Sequence, residues 1–141
     1  MKKQKILKIL YKKALKAYKK NEVPIAAVLL CNGEIISVAY NKKNIKQNVL
    51  LHAEIICLQK AYKKLKRWNL FDCELYVTLE PCKMCKNVLQ ESRIKKVYYL
   101  QKRNTINNEY SKTQYEQMFV SDNLKDDQLI TSFFQNIRKH N

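Results

Sequence analysis

His52-Ala53-Glu54 and Pro81-Cys82-Lys83-Met84-Cys85 constrain this chain more than any other feature. Together the two segments supply one imidazole, two thiolates and one further carboxylate. Three ligands from His52, Cys82 and Cys85 would leave the fourth position of a tetrahedral zinc open, as a catalytic site requires. Cys82 and Cys85, three apart on a helical turn, point the same way and can chelate one ion. His52 is expected from a neighbouring helix start. Glu54 does not share a helical face with His52, so it is read as a proton carrier for water at the open position. Both segments fall where a strand gives way to a helix. Helix starts carry unpaired N–H groups and partial positive charge, which favour the thiolates that bind metal.

Blander readings exist for each motif. A lone Cys-x-x-Cys is often half of a structural zinc site or a redox pair. A structural zinc normally takes four protein ligands, and the fourth would have to be His140, Cys31, Cys57 or Cys73. His140 lies in the tail, while the three cysteines lie within apolar segments and read as buried thiols. A redox pair is disfavoured because the motif follows Pro81 and has a matching His-x-Glu upstream.

The 141 residues suffice for one domain, residues 1–141, with its own core. A hydrophobic fraction of 46% and a single glycine argue against a disordered chain. The 28 Lys and Arg against 12 Asp and Glu give a net charge of +16. Such a charge attracts polyanions, nucleic acid foremost, although many of these lysines are ordinary solvated surface. Five cysteines cannot make a complete disulfide framework, and a reducing, cytoplasmic setting is expected. Lys8, Lys12 and Lys13 interrupt the first apolar residues, so no signal peptide is read there. The apolar run Val23 to Cys31 is far short of the roughly 20 residues of a membrane helix, and no membrane partner is expected.

Leu7, Leu10, Ala14 and Ala17 recur at helical spacing in a lysine-rich first helix. Pro24 opens an extended run. Ile25 to Cys31 suits a strand buried on both faces, Asn32-Gly33 is a hairpin turn, and Ile35 to Tyr40 is the returning strand. A polar stretch from Asn41 to Asn48 leads to a second helix that begins near His52. Leu75 to Leu79 is a strand, Pro81 suits a helix's first turn, and Cys82 to Ser92 is the third helix. Lys96 to Leu100 is a further strand. Gln101 to Asn123 is expected to hold a short element of unassigned type. Ile130, Phe133, Phe134 and Ile137 mark a terminal helix. This order implies an α/β fold with a mixed sheet and helices packed on it.

At these residues the chain resembles the cytidine deaminase superfamily, and most closely its bacterial tRNA-specific adenosine deaminase branch. Glu22 to Leu29 resembles the family's first strand, and Tyr40-Asn41-Lys42 its aromatic-Asn-basic segment. Leu51 to Ile55 matches the first zinc motif, and Leu75 to Cys85 is nearly the family consensus. Ser92-Arg93-Ile94 with Val97-Tyr98 fits the next strand, and Leu129, Phe133-Phe134 and Arg138 resemble the terminal helix. Ala26 stands where the family usually has Gly. Lys86-Asn87-Val88 replaces a small-residue run, and Gln101 to Asn123 lacks the usual Gly- and Asp-containing loop.

The resemblance implies a three-layer α/β/α deaminase fold and one zinc per chain. It implies hydrolytic deamination of adenosine to inosine at the tRNA wobble position, with tRNA-Arg bearing an ACG anticodon as the expected substrate. Glu54 would move protons between water, the ring nitrogen and the departing ammonia. Pro24, Asn41, Ala53, Phe134 and Arg138 would contact the anticodon loop, although Asn41 also reads as a turn residue after a strand. Lys42, Lys43, Lys46 and the Lys63-Lys64-Lys66-Arg67 cluster are candidate phosphate contacts. A homodimer is implied, the second copy completing the RNA surface. The rival reading is a zinc deaminase of a free base or nucleotide. A non-catalytic zinc RNA-binding subunit is disfavoured because Glu54 is present.

Overall fold

The computed structural model describes residues 2–103 and 112–118. Its elements are α1 (Lys2–Lys19), β1 (Ala26–Cys31), β2 (Glu34–Tyr40), α2 (Ala53–Leu65), β3 (Cys73–Leu79), α3 (Lys83–Glu91), β4 (Lys96–Gln101) and β5 (Gln114–Gln117). The strands form one five-stranded sheet in the order β2-β1-β3-β4-β5.

Strand β1 organises the layers. All six of its residues are buried, and successive side chains point to opposite faces. Ala26, Val28 and Leu30 meet the stripe Ile6, Leu7, Leu10, Ala14 and Ala17 of α1. Ala27, Leu29 and Cys31 meet Ile56, Cys57 and Ala61 of α2 and Leu89 of α3. The sheet therefore lies between α1 on one face and α2 with α3 on the other, the expected three layers. Each large apolar side chain buried this way contributes about 1.5–3 kcal/mol.

Chain connections follow from local chemistry. Asn32 (φ 51°) and Gly33 (φ 84°) both take positive φ, the requirement of a tight two-residue hairpin. That turn makes β1 and β2 antiparallel, with a register shift between Leu29 and Leu30. β1 also pairs antiparallel with β3. β3, β4 and β5 run parallel, and α3 supplies the crossover that a parallel β3–β4 pair needs. α2 stops at Lys66, whose φ of 56° is left-handed.

The structure refines three expectations. Pro81 lies just outside α3 rather than in its first turn, because Cys82 is still extended (ψ 172°) and serves as the cap. Within Gln101 to Asn123 the described part holds the edge strand β5, hydrogen-bonded to β4. An irregular stretch, residues 41–52, separates β2 from α2, so the His52 motif is not a direct strand-to-helix junction. The expected terminal helix at Ile130, Phe133, Phe134 and Ile137 lies outside the described residues, as do Leu129 and Arg138.

Candidate active site and metal centre

His52 and Cys82 are the N-caps of α2 and α3, both extended, and neither side chain bonds to its own helix end. They turn instead toward one another. His52 Nδ1 lies 3.7 Å from Cys82 Sγ and 3.5 Å from Cys85 Sγ. All three donor atoms fall within 4.8 Å of one another. Around a tetrahedral zinc, with Zn–S and Zn–N bonds of ordinary length, nitrogen and sulfur ligands sit about 3.5 Å apart. The donor set and its spacing therefore fit zinc, with Nδ1 as the ligating nitrogen. The Cys85 thiol donates to Cys82 and holds its pKa down to about 5, aided by the His52 and Arg103 charges against burial. Donating that bond, together with burial, pushes Cys85 up.

Glu54, in the first turn of α2, is 2% exposed, and its Oε1 has no hydrogen-bond partner among the described residues. Burial raises its pKa from 4.5 to about 7, and the Cys82 charge adds to the rise. Backbone bonding, the Cys85 thiol and the Arg103 charge pull it back. An acid so placed exchanges a proton near neutral pH. A buried carboxyl oxygen without a partner is costly unless something occupies that position during function.

Around the donors, two carboxylates hold the frame. Glu22 is 3% exposed. Its Oε1 accepts the N–H groups of Asn44 (2.7 Å) and Ile45 (2.8 Å), and its Oε2 that of Val23 (3.2 Å). This pins residues 41–50 ahead of His52. Glu80 is buried beside Pro81. Lys86 Nζ donates to its Oε2 at 2.5 Å, and the Arg103 backbone N–H donates to its Oε1 at 3.3 Å. Arg103 Nε also donates to the Glu80 carbonyl at 2.7 Å. The sequence pattern assigned no site role to Glu80, Lys86 or Arg103. The available signal was a carboxylate between a strand and a proline, where burial demands a cationic partner.

Of the other expected contacts, Ala53, Pro24 and Asn41 lie among the described residues. Ala53 is fully buried as the first residue of α2, and Pro24 is buried ahead of β1. Asn41 is 4% exposed; its N–H donates to Ile25 O at 2.9 Å, and its Oδ1 accepts from the Lys43 N–H at 3.4 Å. That second bond is the turn role open to an Asn after a strand. Phe134 and Arg138 lie outside the described residues. Lys43, Lys46, Lys63, Lys64 and Lys66 are on the surface, as expected of solvated or phosphate-facing lysines.

Residues 1–101 match the model of the cytidine and deoxycytidylate deaminase zinc-binding region. The chain belongs to this deaminase family. Family membership accounts for zinc as the metal suited to His52, Cys82 and Cys85. The chain is 48% identical over 88 residues to the tRNA-specific adenosine deaminase of Bacillus subtilis (strain 168), covering 62% of this chain and 55% of that protein. It is 42% identical over 99 residues to the enzyme of the same name from Aquifex aeolicus (strain VF5), covering 70% and 66%. The chain thus spans between about half and two thirds of the length of these relatives. Among solved structures, it resembles one from a study of A-to-I editing by tRNA:A34 deaminases, with TM-score 0.76 and 26% identity over 84% of this chain and all of that one. It also resembles guanine deaminase from Bacillus subtilis, with TM-score 0.66 and 31% identity, covering 70% of this chain and 64% of that one. In this deaminase family the fold is the three-layer arrangement described above.

Proposed function

We propose that this chain deaminates adenosine to inosine by hydrolysis at the wobble position of tRNA, with tRNA-Arg bearing an ACG anticodon as substrate. The observation that carries the chemistry is Glu54: a buried carboxylate with one oxygen unpartnered among the described residues, adjoining a His, Cys, Cys donor set of zinc-ligand spacing. Its likeness to named tRNA-specific adenosine deaminases supports the substrate.

A bound zinc, one per chain, supplies Lewis acidity that lowers the pKa of water toward neutrality. His52, Cys82 and Cys85 hold it. Glu54 takes a proton from the attacking water and delivers it to the adenine ring nitrogen. It then carries the second proton to the amino group, which leaves as ammonia. Asn41 and the Ala53 backbone orient the base, Pro24 lines its approach, and Phe134 with Arg138 engages a flanking nucleotide. The anticodon loop is single-stranded, so its base enters a pocket at little unstacking cost.

Two copies act together, the second completing the RNA surface. The exposed apolar side chains of Val49 and Leu50 beside His52, and of Trp68 and Phe71, support a partnered surface. Ligand thiols that must stay reduced support a cytoplasmic site of action.

The test is incubation of zinc-loaded protein with tRNA-Arg carrying ACG, scored for inosine, beside assays on adenosine, cytidine and guanine. Inosine in the tRNA with no turnover of the small molecules is expected. Guanine turnover without inosine would favour the second reading, a free-base deaminase, which the likeness to guanine deaminase supports.

A further inference from the structure

Far from the zinc ligands, the sheet brings two other cysteines face to face. Cys31 closes β1, Cys73 opens β3, and the two are direct antiparallel partners. Cys73 spends its backbone groups elsewhere: its N–H donates to Leu70 O at 3.0 Å, and its carbonyl accepts from Lys95 N–H at 3.1 Å. Cys31 and Cys73 are therefore a non-hydrogen-bonded pair, the closer of the two antiparallel kinds, with Cα atoms about 4.5 Å apart. A disulfide bridges Cα atoms about 4.4–6.8 Å apart. The two sulfurs already share a neighbour. Cys31 Sγ donates to Asp72 Oδ2 at 3.3 Å, and Cys73 Sγ to Asp72 Oδ1 at 3.6 Å.

The surroundings are asymmetric. Arg67 Nη2 lies 3.6 Å from Cys31 Sγ and bonds both Asp72 oxygens, at 2.8 and 3.0 Å. A thiolate formed at Cys31 during exchange would lie beside that guanidinium. Cys31 is 9% exposed and adjoins the exposed Asn32–Gly33 turn, whereas Cys73 is fully buried. Burial pushes the Cys73 thiol up to about 12. The same guanidinium already contacts two of the three donors, Cys31 Sγ and the Asp72 carboxylate, so a cation there would meet its repulsion, which favours thiol chemistry over a second metal site.

We propose that Cys31 and Cys73 form a redox-modification site, a dithiol that a low-molecular-weight disulfide oxidises to an intramolecular bond. The Cys31 thiolate attacks one sulfur of the small disulfide, whose S–S bond breaks and releases one thiolate. Cys73 then attacks Cys31 Sγ in the mixed disulfide and expels the second thiolate. The protons of Cys31 and Cys73 pass to the two departing thiolates, so two protein thiols are oxidised and one disulfide is reduced to two thiols. The link staples β1 to β3 at the end opposite Cys82. Strand β3 separates the two sites by about 20 Å at 3.3 Å per residue, so oxidation leaves the zinc ligands intact.

The probe is oxidised glutathione, applied to the zinc-loaded full chain, followed by alkylation of free thiols, intact mass and peptide mapping. Expected are the loss of two hydrogens, a Cys31–Cys73 cross-linked peptide and unchanged zinc content. Cys73→Ser should stop at one glutathione on Cys31, formed at least about tenfold faster than any adduct on Cys73 in Cys31→Ser, as the more accessible thiolate requires. The unmodified chain decides the matter if either variant folds poorly. Oxidation that links other cysteines, or no loss of thiols under conditions that oxidise the urea-unfolded chain, overturns the proposal.

Discussion

Glu22 holds Asn44 across a turn: its Oε1 accepts the Asn44 N–H at 2.7 Å, and the Ile45 N–H at 2.8 Å. The carboxylate is buried while the segment it holds is exposed. One side chain thus fixes the path from β2 to His52, where the backbone has no strand or helix to order it. Hydrogen bonds to a charged acceptor contribute about 1.5–3 kcal/mol each, and water can replace part of that at exposed N–H groups. Glu22→Ala should destabilise the chain by about 2–4 kcal/mol in urea unfolding, and Glu22→Gln by less, because one acceptor oxygen remains. Zinc affinity should fall in both, since His52 loses its support.

Glu54 and the metal ligands should separate cleanly in variants. General acid–base catalysis contributes about 10²–10⁴-fold. Glu54→Ala should lower inosine formation by that factor while the bound zinc, read by elemental analysis, stays at the unmodified level. His52→Ala or Cys85→Ala should lose zinc and activity together. Loss of zinc in Glu54→Ala would mean that the carboxylate is a ligand.

The metal-free chain should carry a pH signature of Glu54. Burial raises this carboxyl from 4.5 to about 7, so between those values the folded chain keeps a proton that the unfolded chain has released. The resulting stability is full below pH 4.5 and is lost as pH rises through 7. Glu54→Gln has no proton to lose. After chelation, it should be more stable than the unmodified chain at pH 8 by on the order of 3 kcal/mol, with the gap closing toward pH 5. Urea midpoints at the two pH values measure it.

Much of this was legible because burial leaves periodic marks. The spacing of Leu7, Leu10, Ala14 and Ala17 declared the inner face of α1, and the unbroken apolar run declared β1, buried on both sides. The metal donors were legible because few residue types bind zinc and their spacing is short. Strand β5 was not, since Gln114–Gln117 is an edge strand with no apolar alternation to betray it. Glu22 with Asn44, Glu80 with Arg103, and Cys31 with Cys73 escaped for a common reason. Each joins residues far apart in sequence, and local patterns do not say which distant side chains and backbone groups will meet.

Three lysines converge on one ring next to Asn41. Lys20 Nζ donates to the Tyr40 hydroxyl at 3.1 Å, while Lys16 and Lys42 place their ammonium groups 5.7 and 5.1 Å from the ring centroid. The Lys20 hydrogen bond lowers the Tyr40 pKa against burial, with all three lysine charges assisting. Two come from the α1 end of the chain and one from the turn after β2, so folding gathers a positive cluster beside Asn41, a residue expected to contact the base. A phosphate bound there would release counterions, and the logarithm of affinity falls with that of salt by about 0.7 per neutralised phosphate on a single strand. Anticodon-stem-loop binding should therefore weaken steeply with salt. Replacing Lys16, Lys20 and Lys42 by Ala together should lower affinity and flatten that slope by about 0.7 for each phosphate left unneutralised. Zinc content and circular dichroism should not change. A slope equal to that of the unmodified chain would place the RNA elsewhere on the surface.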